Sequence, residues 1–393
     1  MKNKFIKIND LIKRVVSCGM LSAVMFGNIV SNAPQLLKDN VTPTSSVIST
    51  FYTEPKDSAD VVFLGSSTVY RYISTTQLYS KHGITALNYA TPALDFNAVP
   101  GLLQEVIDHQ HPKLIVVEIR TYINNCDNFV EGIKYKPREM MFRNQYFEKL
   151  VQSMPNSKNR AKVANDVAVK SFGYDPVEWQ HKYLYSNYKN LKKFESKSWK
   201  KKYENYKEIF PKEYDFKDLE SYKGDRYKGT VASLKIKSIK KNDFSKYTKK
   251  NKITGAWLDT LNDAITAAKE CGTKVMFLST PYYVSKKNIR YENAAGSIIT
   301  ENGFKYLNLN KYYKKIGLDF SRDFYEGIHT NISGMVKVTN FVGKYIVKNY
   351  KLGKTKLSKS EKKSWKQATN LWIKEVRTPG LRKVKNFKAT KVK

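Results

Sequence analysis

One stretch of twelve residues, 60–71, most constrains what this chain can fold into. Its apolar run, 61–64, predicts a buried strand that stops at a glycine and two serines. In an open α/β sheet, ligands and catalytic groups gather at the carboxyl ends of the strands. Gly65 allows a sharp turn there, and one of the hydroxyls of Ser66 and Ser67 is a candidate nucleophile. The alternative interpretation is that both serines only cap the helix that follows.

Further apolar runs predict four more strands, and the amphipathic segments between them predict helices. Strands that alternate with helices indicate an α/β fold, with a parallel sheet covered by helices on both faces. The predicted strands are 84–88, 113–119, 274–278 and 304–309, and the predicted helices are 99–109, 257–271, 293–302 and 333–349.

The N-terminal segment, residues 1–33, has the charge pattern of an export signal or a membrane anchor. Basic residues come before 15–30, which contains no charged residue but is short for a full span of about 20 residues. A removed signal, an uncleaved anchor and an ordinary buried helix are the three interpretations. Either of the first two places the rest of the chain outside the cytoplasm. Residues 34–57 are rich in Thr, Ser, Pro and Val and predict a linker.

The α/β pattern fails between about 124 and 250, where Lys, Tyr, Trp and Phe are crowded together. We expect a mostly helical insertion there, within an α/β domain of 58–350 and close to the strand ends. The alternative is a solvated surface excursion. Residues 351–393 are dense in lysine and predict a basic C-terminal tail. A helix that carries Trp365 and Trp372 is predicted within it and is expected to break at 378–380. The alternation that follows is typical of a strand opening a small β-domain, although a solvated tail is the favoured interpretation.

The charge balance points to an anionic partner. The chain has 70 basic and 35 acidic residues among 393, which gives a formal net charge of +35. Nucleic acid is the first candidate, but the basic residues are not grouped into a recognisable nucleic-acid module, and an anionic cell-wall polymer or a membrane surface fits the charge equally well. The predicted partner is an anionic cell-surface glycopolymer, with no nucleic acid. A membrane surface, reached through the N-terminal segment, is a further predicted contact. The three cysteines have no metal or redox spacing, and neither a metal nor a cofactor is predicted.

A second candidate catalytic segment, 323–334, lies far along the chain and contains Glu-x-x-His. A carboxylate three residues before a histidine can fold back and accept a hydrogen bond from the imidazole N–H. That bond would fix the tautomer and stabilise the imidazolium formed when the histidine takes a proton from a hydroxyl. Glu326 and His329 are therefore a candidate base and its orienting group, with Asp323 as the alternative carboxylate. A solvated surface pair is the simpler interpretation.

Segments 63–67 and 324–331 together resemble the first and last motif blocks of the SGNH/GDSL hydrolase superfamily. The resemblance is to its Gram-positive cell-surface branch, which includes proteins similar to the teichoic-acid D-alanyl transfer protein and polysaccharide O-acetyltransferases. It implies a three-layer α/β/α, flavodoxin-like parallel sheet. The family's nucleophile is the third residue of Gly-Asp-Ser, which implies Ser67 here, with Ser66 in place of aspartate. The family's final Asp-x-x-His falls on a Glu-x-x-His in this chain.

The family's middle blocks are only partly matched. Its second block supplies an oxyanion-hole glycine, which Ala90 replaces, and the strand that ends near Arg120 lacks the third block's Gly-x-Asn-Asp. The backbone N–H groups of Ser67 and Ala90 are candidate oxyanion-hole donors. Arg120 and Asn88 are candidate substrate-binding residues, Arg120 for a carboxylate or a polymer phosphate.

The resemblance implies extracellular acyl transfer or ester hydrolysis on cell-surface polysaccharide or teichoic acid. His329 would deprotonate Ser67, which would form an acyl-enzyme that is released to a sugar hydroxyl or to water. A membrane-bound O-acyltransferase is the implied candidate for an acyl donor. The protein would be anchored to the cell membrane, or secreted and wall-associated. The weak middle blocks keep open a non-catalytic cell-wall-binding protein on a degenerate SGNH scaffold, and the charge alone motivates a nucleic-acid binder.

Overall fold

Five parallel strands form the sheet at the centre of this protein. A computed structural model describes residues 47, 50–51, 54–90, 94, 96, 99–124, 226–240, 243–282, 285–353 and 356–389. The strands hydrogen-bond in the order β2-β1-β3-β4-β5, which is the order of flavodoxin-like sheets. The predicted parallel α/β sheet is therefore confirmed. The strands are β1 (Val61–Gly65), β2 (Ala86–Ala90), β3 (Leu114–Glu118), β4 (Lys274–Ser279) and β5 (Lys305–Asn308).

Helices connect the strands. The elements are α1 (Ser67–Tyr72), α2 (Thr75–His82), α3 (Val99–Gln110), α4 (Arg120–Asn124), α5 (Ala256–Glu270), α6 (Lys286–Glu301), α7 (Tyr313–Ile316), β6 (Phe324–Glu326), β7 (His329–Thr330), α8 (Ile332–Tyr350), α9 (Lys359–Trp372) and α10 (Thr378–Asn386). Five of the helices, α3, α5, α6, α8 and α9, lie where the sequence predicts helices. One difference is α6, which begins earlier than predicted because the Ser285 side chain accepts a hydrogen bond from the Asn288 backbone N–H and caps it. The helices α2, α4 and α7 and a short antiparallel hairpin of β6 and β7 were not predicted.

The sheet is buried on both faces, which explains why its strands are continuous apolar runs. Side chains alternate along β1, so Val62 and Leu64 join one hydrophobic cluster while Val61 and Phe63 join another. Helices α3, α5 and α6 contribute to the first cluster, and α1, α2 and α8 contribute to the second. All five residues of β1 are buried. The result is a layer of helices on each side of the sheet.

The described end of the predicted insertion is not helical. Residues 226–240 run as turns and irregular chain along the segment that carries β6 and β7. The backbone N–H of Lys237 donates to the Phe324 carbonyl at 2.9 Å, and that of Ile332 donates to the Ser233 carbonyl at 2.9 Å. Backbone groups that are used in this way cannot form helical hydrogen bonds, so the helical prediction is wrong for this part. Residues 125–225 and 241–242 lie outside the described residues.

The C-terminal region forms helices that pack on the domain. Trp365 of α9 stacks on Tyr79 of α2 with ring centroids 5.1 Å apart, and Trp372 is fully buried. The predicted break and strand near 378–389 are both wrong, because α10 covers most of that range. A π-helix, Ile373–Arg377, joins α9 to α10, and Pro379 lies in the first turn of α10 directly after it.

Residues 1–46, which include the predicted export signal or anchor and the start of the predicted linker, lie outside the described residues. Among the helices that the structure describes, none combines the length and apolar character needed to cross a bilayer.

Candidate active site

Two segments that are 262 residues apart in sequence meet at the carboxyl end of β1. The Oγ atom of Ser67 lies 2.8 Å from Nε2 of His329, within hydrogen-bond distance. Ser67 is the first residue of α1, directly after the turn that ends β1, and His329 begins β7. The hydroxyl and the imidazole that the two motifs supply are therefore direct neighbours.

The two serines of the turn have different surroundings. Ser66 is fully buried, and its Oγ lies 2.8 Å from Oγ1 of Thr68 and donates to Oε2 of Glu118 at 3.0 Å. Ser67 is only partly buried and has the imidazole as its partner. Neither hydroxyl is used in the way that the capping interpretation predicts, since α1 has no side-chain cap hydrogen bond. The geometry selects Ser67 as the hydroxyl with an adjacent base.

The turn itself requires a glycine because strand β3 passes very close to it. A Cβ atom on Gly65 would lie 2.7 Å from Cβ of Glu118 and 2.9 Å from Cγ2 of Val69. Real Cβ atoms do not approach that closely without a shift of the backbone. Glu118 at the end of β3 therefore packs directly against the nucleophile turn, residues 65–67, which carries the candidate nucleophile. Its carboxyl also accepts a hydrogen bond from Ser66.

His329 has a carboxylate on its second ring nitrogen. Its Nδ1 is hydrogen-bonded to Oε1 of Glu326, so the three groups form a continuous chain from Ser67 to Glu326. The alternative carboxylate, Asp323, is buried and accepts instead from Nζ of Lys337 and from the backbone N–H of Asp319, both at 2.6 Å. The structure thus pairs His329 with Glu326 and leaves Asp323 to stabilise its own loop.

The histidine segment is held in place by hydrogen bonds to other elements. Thr330 Oγ1 donates to the carbonyl of Arg71 in α1 at 2.7 Å, which ties β7 to the helix that carries Ser67. The hydroxyl of Tyr72 donates to the Ile328 carbonyl at 3.0 Å. Asn331 caps α8 by accepting from the backbone N–H of Ser333 at 3.0 Å. These contacts fix the position of the imidazole relative to the hydroxyl.

Burial and nearby charge act on His329. Burial lowers the pKa of His329, while the hydrogen bond and negative charge of Glu326 raise it. The positive charges of Arg120 and Arg71 lower it further, and the net shift is downward. The imidazole is therefore neutral at neutral pH and able to accept a proton from Ser67.

Glu118 is a buried carboxyl that sequence reasoning did not single out. Burial raises the pKa of Glu118, although the charge of Arg120 and hydrogen bonds from neighbouring groups oppose the shift. Its Oε1 accepts from the backbone N–H of Arg120 at 2.8 Å, and its Oε2 accepts from Ser66. The carboxyl thus connects the end of β3 to the nucleophile turn. The buried acidic residue that ends an otherwise apolar strand was the available signal in the sequence.

The predicted oxyanion-hole donors lie beside the turn. Ala90 ends β2 in register with Gly65, which places its backbone next to the nucleophile turn. As the first residue of α1, Ser67 has a backbone N–H with no intrahelical partner. Their role as oxyanion-hole donors stays a prediction.

The predicted substrate-binding residues have different surroundings. Arg120 follows β3 and is close enough to act on His329 electrostatically. Asn88 is buried within β2, and its Nδ2 donates to the carbonyls of Ile73 at 3.1 Å and Gly229 at 3.4 Å. The described contacts of Asn88 are with these carbonyls rather than with Ser67 or His329.

Two further residues at the site were not predicted. The ring of Tyr325 stacks on that of His329, with centroids 5.7 Å apart and an interplanar angle of 10°. Cζ of Arg71 lies 5.6 Å from the centroid of Tyr325. Neither residue belongs to a recognisable spacing, because the contact depends on how α1 and the hairpin of β6 and β7 are placed.

The sequence was compared with known protein families and with curated proteins. No family model matches the chain, and no curated protein matches it either. The chemistry of the site is therefore judged from its own residues. A hydroxyl, an imidazole and a carboxylate in hydrogen-bonded series form the arrangement that activates a serine for attack on a carbonyl carbon.

Proposed function

We propose that this protein is an SGNH-type serine acyltransferase or esterase that acts on cell-surface polysaccharide or teichoic acid outside the cytoplasm. One observation carries the proposal: Ser67, His329 and Glu326 are linked in series at the carboxyl edge of a flavodoxin-like sheet. The resemblance of both motif segments to the SGNH/GDSL superfamily supports the same reaction class.

The proposed reaction has two steps, and His329 moves the proton in both. In the first, His329 Nε2 takes the proton of Ser67 while Oγ attacks the carbonyl carbon of an ester or thioester. The tetrahedral intermediate collapses, and the leaving oxygen or sulfur receives that proton from the imidazolium. In the second step, an acceptor hydroxyl or water loses its proton to His329 and attacks the acyl-serine ester. Ser67 then recovers its proton, and the product is a new ester or a carboxylic acid.

Two backbone N–H groups are proposed to stabilise the oxyanion of each tetrahedral intermediate. They belong to Ser67 and Ala90, which meet where β1 and β2 end side by side. Donors that are already fixed by a strand and by a helix start need little reorganisation when the charge develops. Glu326 orients the imidazole and stabilises its protonated form.

The proposed location follows from the N-terminal charge pattern and the net charge of +35. An export signal or anchor would deliver the domain to the cell surface, either membrane-anchored or secreted and wall-associated. The basic surface would be attracted to an anionic glycopolymer. A membrane-bound O-acyltransferase is the proposed acyl donor for a transferase reaction.

Replacement of the nucleophile tests this function. We expect Ser67→Ala to lower the turnover of 4-nitrophenyl acetate by at least about 100-fold, since the acyl-enzyme cannot form. A fluorophosphonate probe should label the wild type once, at Ser67, and should not label Ser67→Ala. The matched control is Ser80→Ala, which removes an exposed hydroxyl from α2 and should retain both turnover and labelling. Full turnover and labelling in Ser67→Ala would contradict the proposal.

A second function is supported by the surface of the C-terminal helices. Exposed lysines outnumber the acidic residues on α9 and α10, which suits electrostatic binding to an anionic wall polymer without catalysis. An absence of labelling in the folded wild-type protein, together with polymer binding that salt reverses, would favour this alternative. The exposed lysines are Lys359, Lys362, Lys363 and Lys366 on α9 and Lys383 and Lys385 on α10.

A further inference from the structure

The guanidinium of Arg120 is buried with no hydrogen-bond partner among the described residues. The residue is 8% exposed, and its Nε is fully enclosed and unpaired. Its described side-chain contact is the ring of Tyr282, whose centroid lies 5.3 Å from Cζ. A buried charge without an anionic partner is strongly unfavourable, and buried polar groups are normally paired. This arrangement is typical of a cation that pairs with an anionic group of a bound ligand.

The nearest buried carboxyl does not supply that partner. The Oε1 atom of Glu118 accepts from the backbone N–H of Arg120 and lies 3.4 Å from Oγ1 of Thr280, and Oε2 accepts from Ser66. No ion pair joins the two side chains within the part of the chain that the structure describes. Burial raises the pKa of Glu118 and the positive charge of Arg120 opposes that shift, so the two groups interact through charge without a side-chain hydrogen bond.

A second guanidinium, that of Arg71, lies close to the ring that stacks on the imidazole of His329. Cζ of Arg71 is 5.5 Å from the ring centroid of Tyr70 and 5.6 Å from that of Tyr325, which stacks on His329. Among the described residues, Arg71 also has no carboxylate partner. The positive charges of both arginines act on His329, and Glu118 joins the backbone of Arg120 to Ser66, the neighbour of Ser67.

The acidic residues at the site have other hydrogen-bond partners than these two guanidinium groups. Glu326 is used by His329, Asp323 is paired with Lys337, and Glu118 accepts from Ser66 and from the backbone N–H of Arg120. Among the described residues, neither guanidinium therefore forms an ion pair before a substrate binds. Guanidinium groups bind carboxylates and phosphates through paired, charge-assisted hydrogen bonds.

We propose that Arg120, together with Arg71, forms an anion-binding subsite beside Ser67, and that the substrate carries a carboxylate or phosphate group close to the acyl carbon that reacts. This inference rests on the proposed function of Ser67 and adds the substrate class to it. Arg120 provides the buried and fixed charge, while Arg71 closes the subsite from the more exposed side.

A binding experiment tests the subsite without requiring catalysis. Ser67→Ala protein is titrated by calorimetry with succinate, with glycerol 1-phosphate and with neutral glycerol. We expect at least one anion to bind and glycerol not to bind, and the tighter anion identifies the group. Adding Arg120→Met should weaken that binding at least about tenfold. The matched control, Arg382→Met, removes an exposed guanidinium from α10 and should not change it. Equal binding with and without Arg120 would overturn the proposal.

Ester kinetics separate this proposal from the proposed function. The wild type should prefer 4-nitrophenyl hydrogen succinate to 4-nitrophenyl acetate in kcat/KM, and Arg120→Met should reduce that preference at least tenfold through KM. An equal loss of kcat for both esters would mean that Arg120 acts on the oxyanion, and a fall in the urea midpoint without loss of preference would mean a structural role. Either result overturns the subsite and leaves serine catalysis intact. If neither ester is turned over, the proposed function fails while the calorimetry still reports on the subsite.

Discussion

At the scale of single residues, the surroundings of His329 shift the pKa of its imidazole in opposite directions. Burial and two arginines lower its pKa, and Glu326 raises it. Histidine acts as a general base only in its neutral form, so the rate should rise with pH as His329 loses its proton. The charged neighbours that shift this pKa are Glu326, Arg120 and Arg71, and the ring of Tyr325 stacks on the imidazole.

The pH profile of ester turnover is therefore a sharp test. We expect the acid limb of kcat/KM to have its midpoint below about pH 6.5, the ordinary value for histidine. Glu326→Gln removes the influence that raises the pKa of His329, so the midpoint should move further down. The rate should fall about 10- to 100-fold as orientation is lost. A midpoint that rises in Glu326→Gln would contradict this account.

The residues of the site differ in how far the sequence could predict them. Ser67, His329 and Glu326 were accessible because each lies in a short motif whose chemistry requires those side chains. The choice between Ser66 and Ser67 could not be made from the turn alone, because it depends on Glu118, which arrives from another strand. Arg71 and Tyr325 were missed for the same reason, since their contact forms only when α1 meets the hairpin of β6 and β7.

At the scale of elements, the apolar runs predicted the strands well because burial on both faces leaves little room for polar residues. Helix ends were harder, since they depend on caps such as Ser285. The C-terminal helix that carries Trp365 and Trp372 was predicted, but α10 was missed because a proline and a glycine suggest a break, whereas Pro379 lies in the first turn of α10. The irregular chain at 226–240 escaped prediction because its backbone partners belong to a distant segment.

The close approach of β1 and β3 makes Gly65 a decisive position. We expect Gly65→Ala to cost about 1–3 kcal/mol of unfolding free energy, because the new methyl group overlaps Glu118 and Val69. The nucleophile turn must shift, so fluorophosphonate labelling of Ser67 should slow at least tenfold. The free energy is measured by urea unfolding and the labelling rate by mass spectrometry.

Gly255→Ala is the matched control for that variant. Gly255 has φ +62° and ψ −151°, but among the described residues no atom beyond its chain neighbours lies within 4 Å of the place that the new methyl group would take, so the substitution adds backbone strain without a contact. It should cost about 1–3 kcal/mol and leave the labelling rate unchanged. Normal labelling in Gly65→Ala would show that the turn tolerates the methyl group and that the close approach does not position Ser67.

At the scale of the whole molecule, Glu292 connects α6 to the carboxyl end of the edge strand β5. Its carboxyl accepts from Nδ2 of Asn308 at 2.9 Å and from Nδ2 of Asn310 at 3.1 Å, and Asn310 also donates to the Thr280 carbonyl at 3.2 Å. Burial raises the pKa of Glu292 to about 7. The folded protein therefore holds a proton there that the unfolded chain releases at lower pH.

This linkage predicts how stability depends on pH. The pKa of Glu292 is higher in the folded protein than in the unfolded chain. Its contribution to the free energy of unfolding is therefore complete below about pH 4.5 and is lost as the pH rises to about 7. The free energy of unfolding falls by at most about 3 kcal/mol over this range. Glu292→Gln should flatten this part of the curve measured by urea unfolding, and Glu301→Gln at the exposed end of α6 should not. An unchanged slope in Glu292→Gln would rule out the linkage.

The distance along the chain between Ser67 and His329 has a consequence for biosynthesis. The reactive hydroxyl leaves the ribosome 262 residues before the imidazole that would activate it. A nascent polypeptide thus contains the serine without its base until residue 329 has been translated. On the proposed function, acyl chemistry cannot begin before that point.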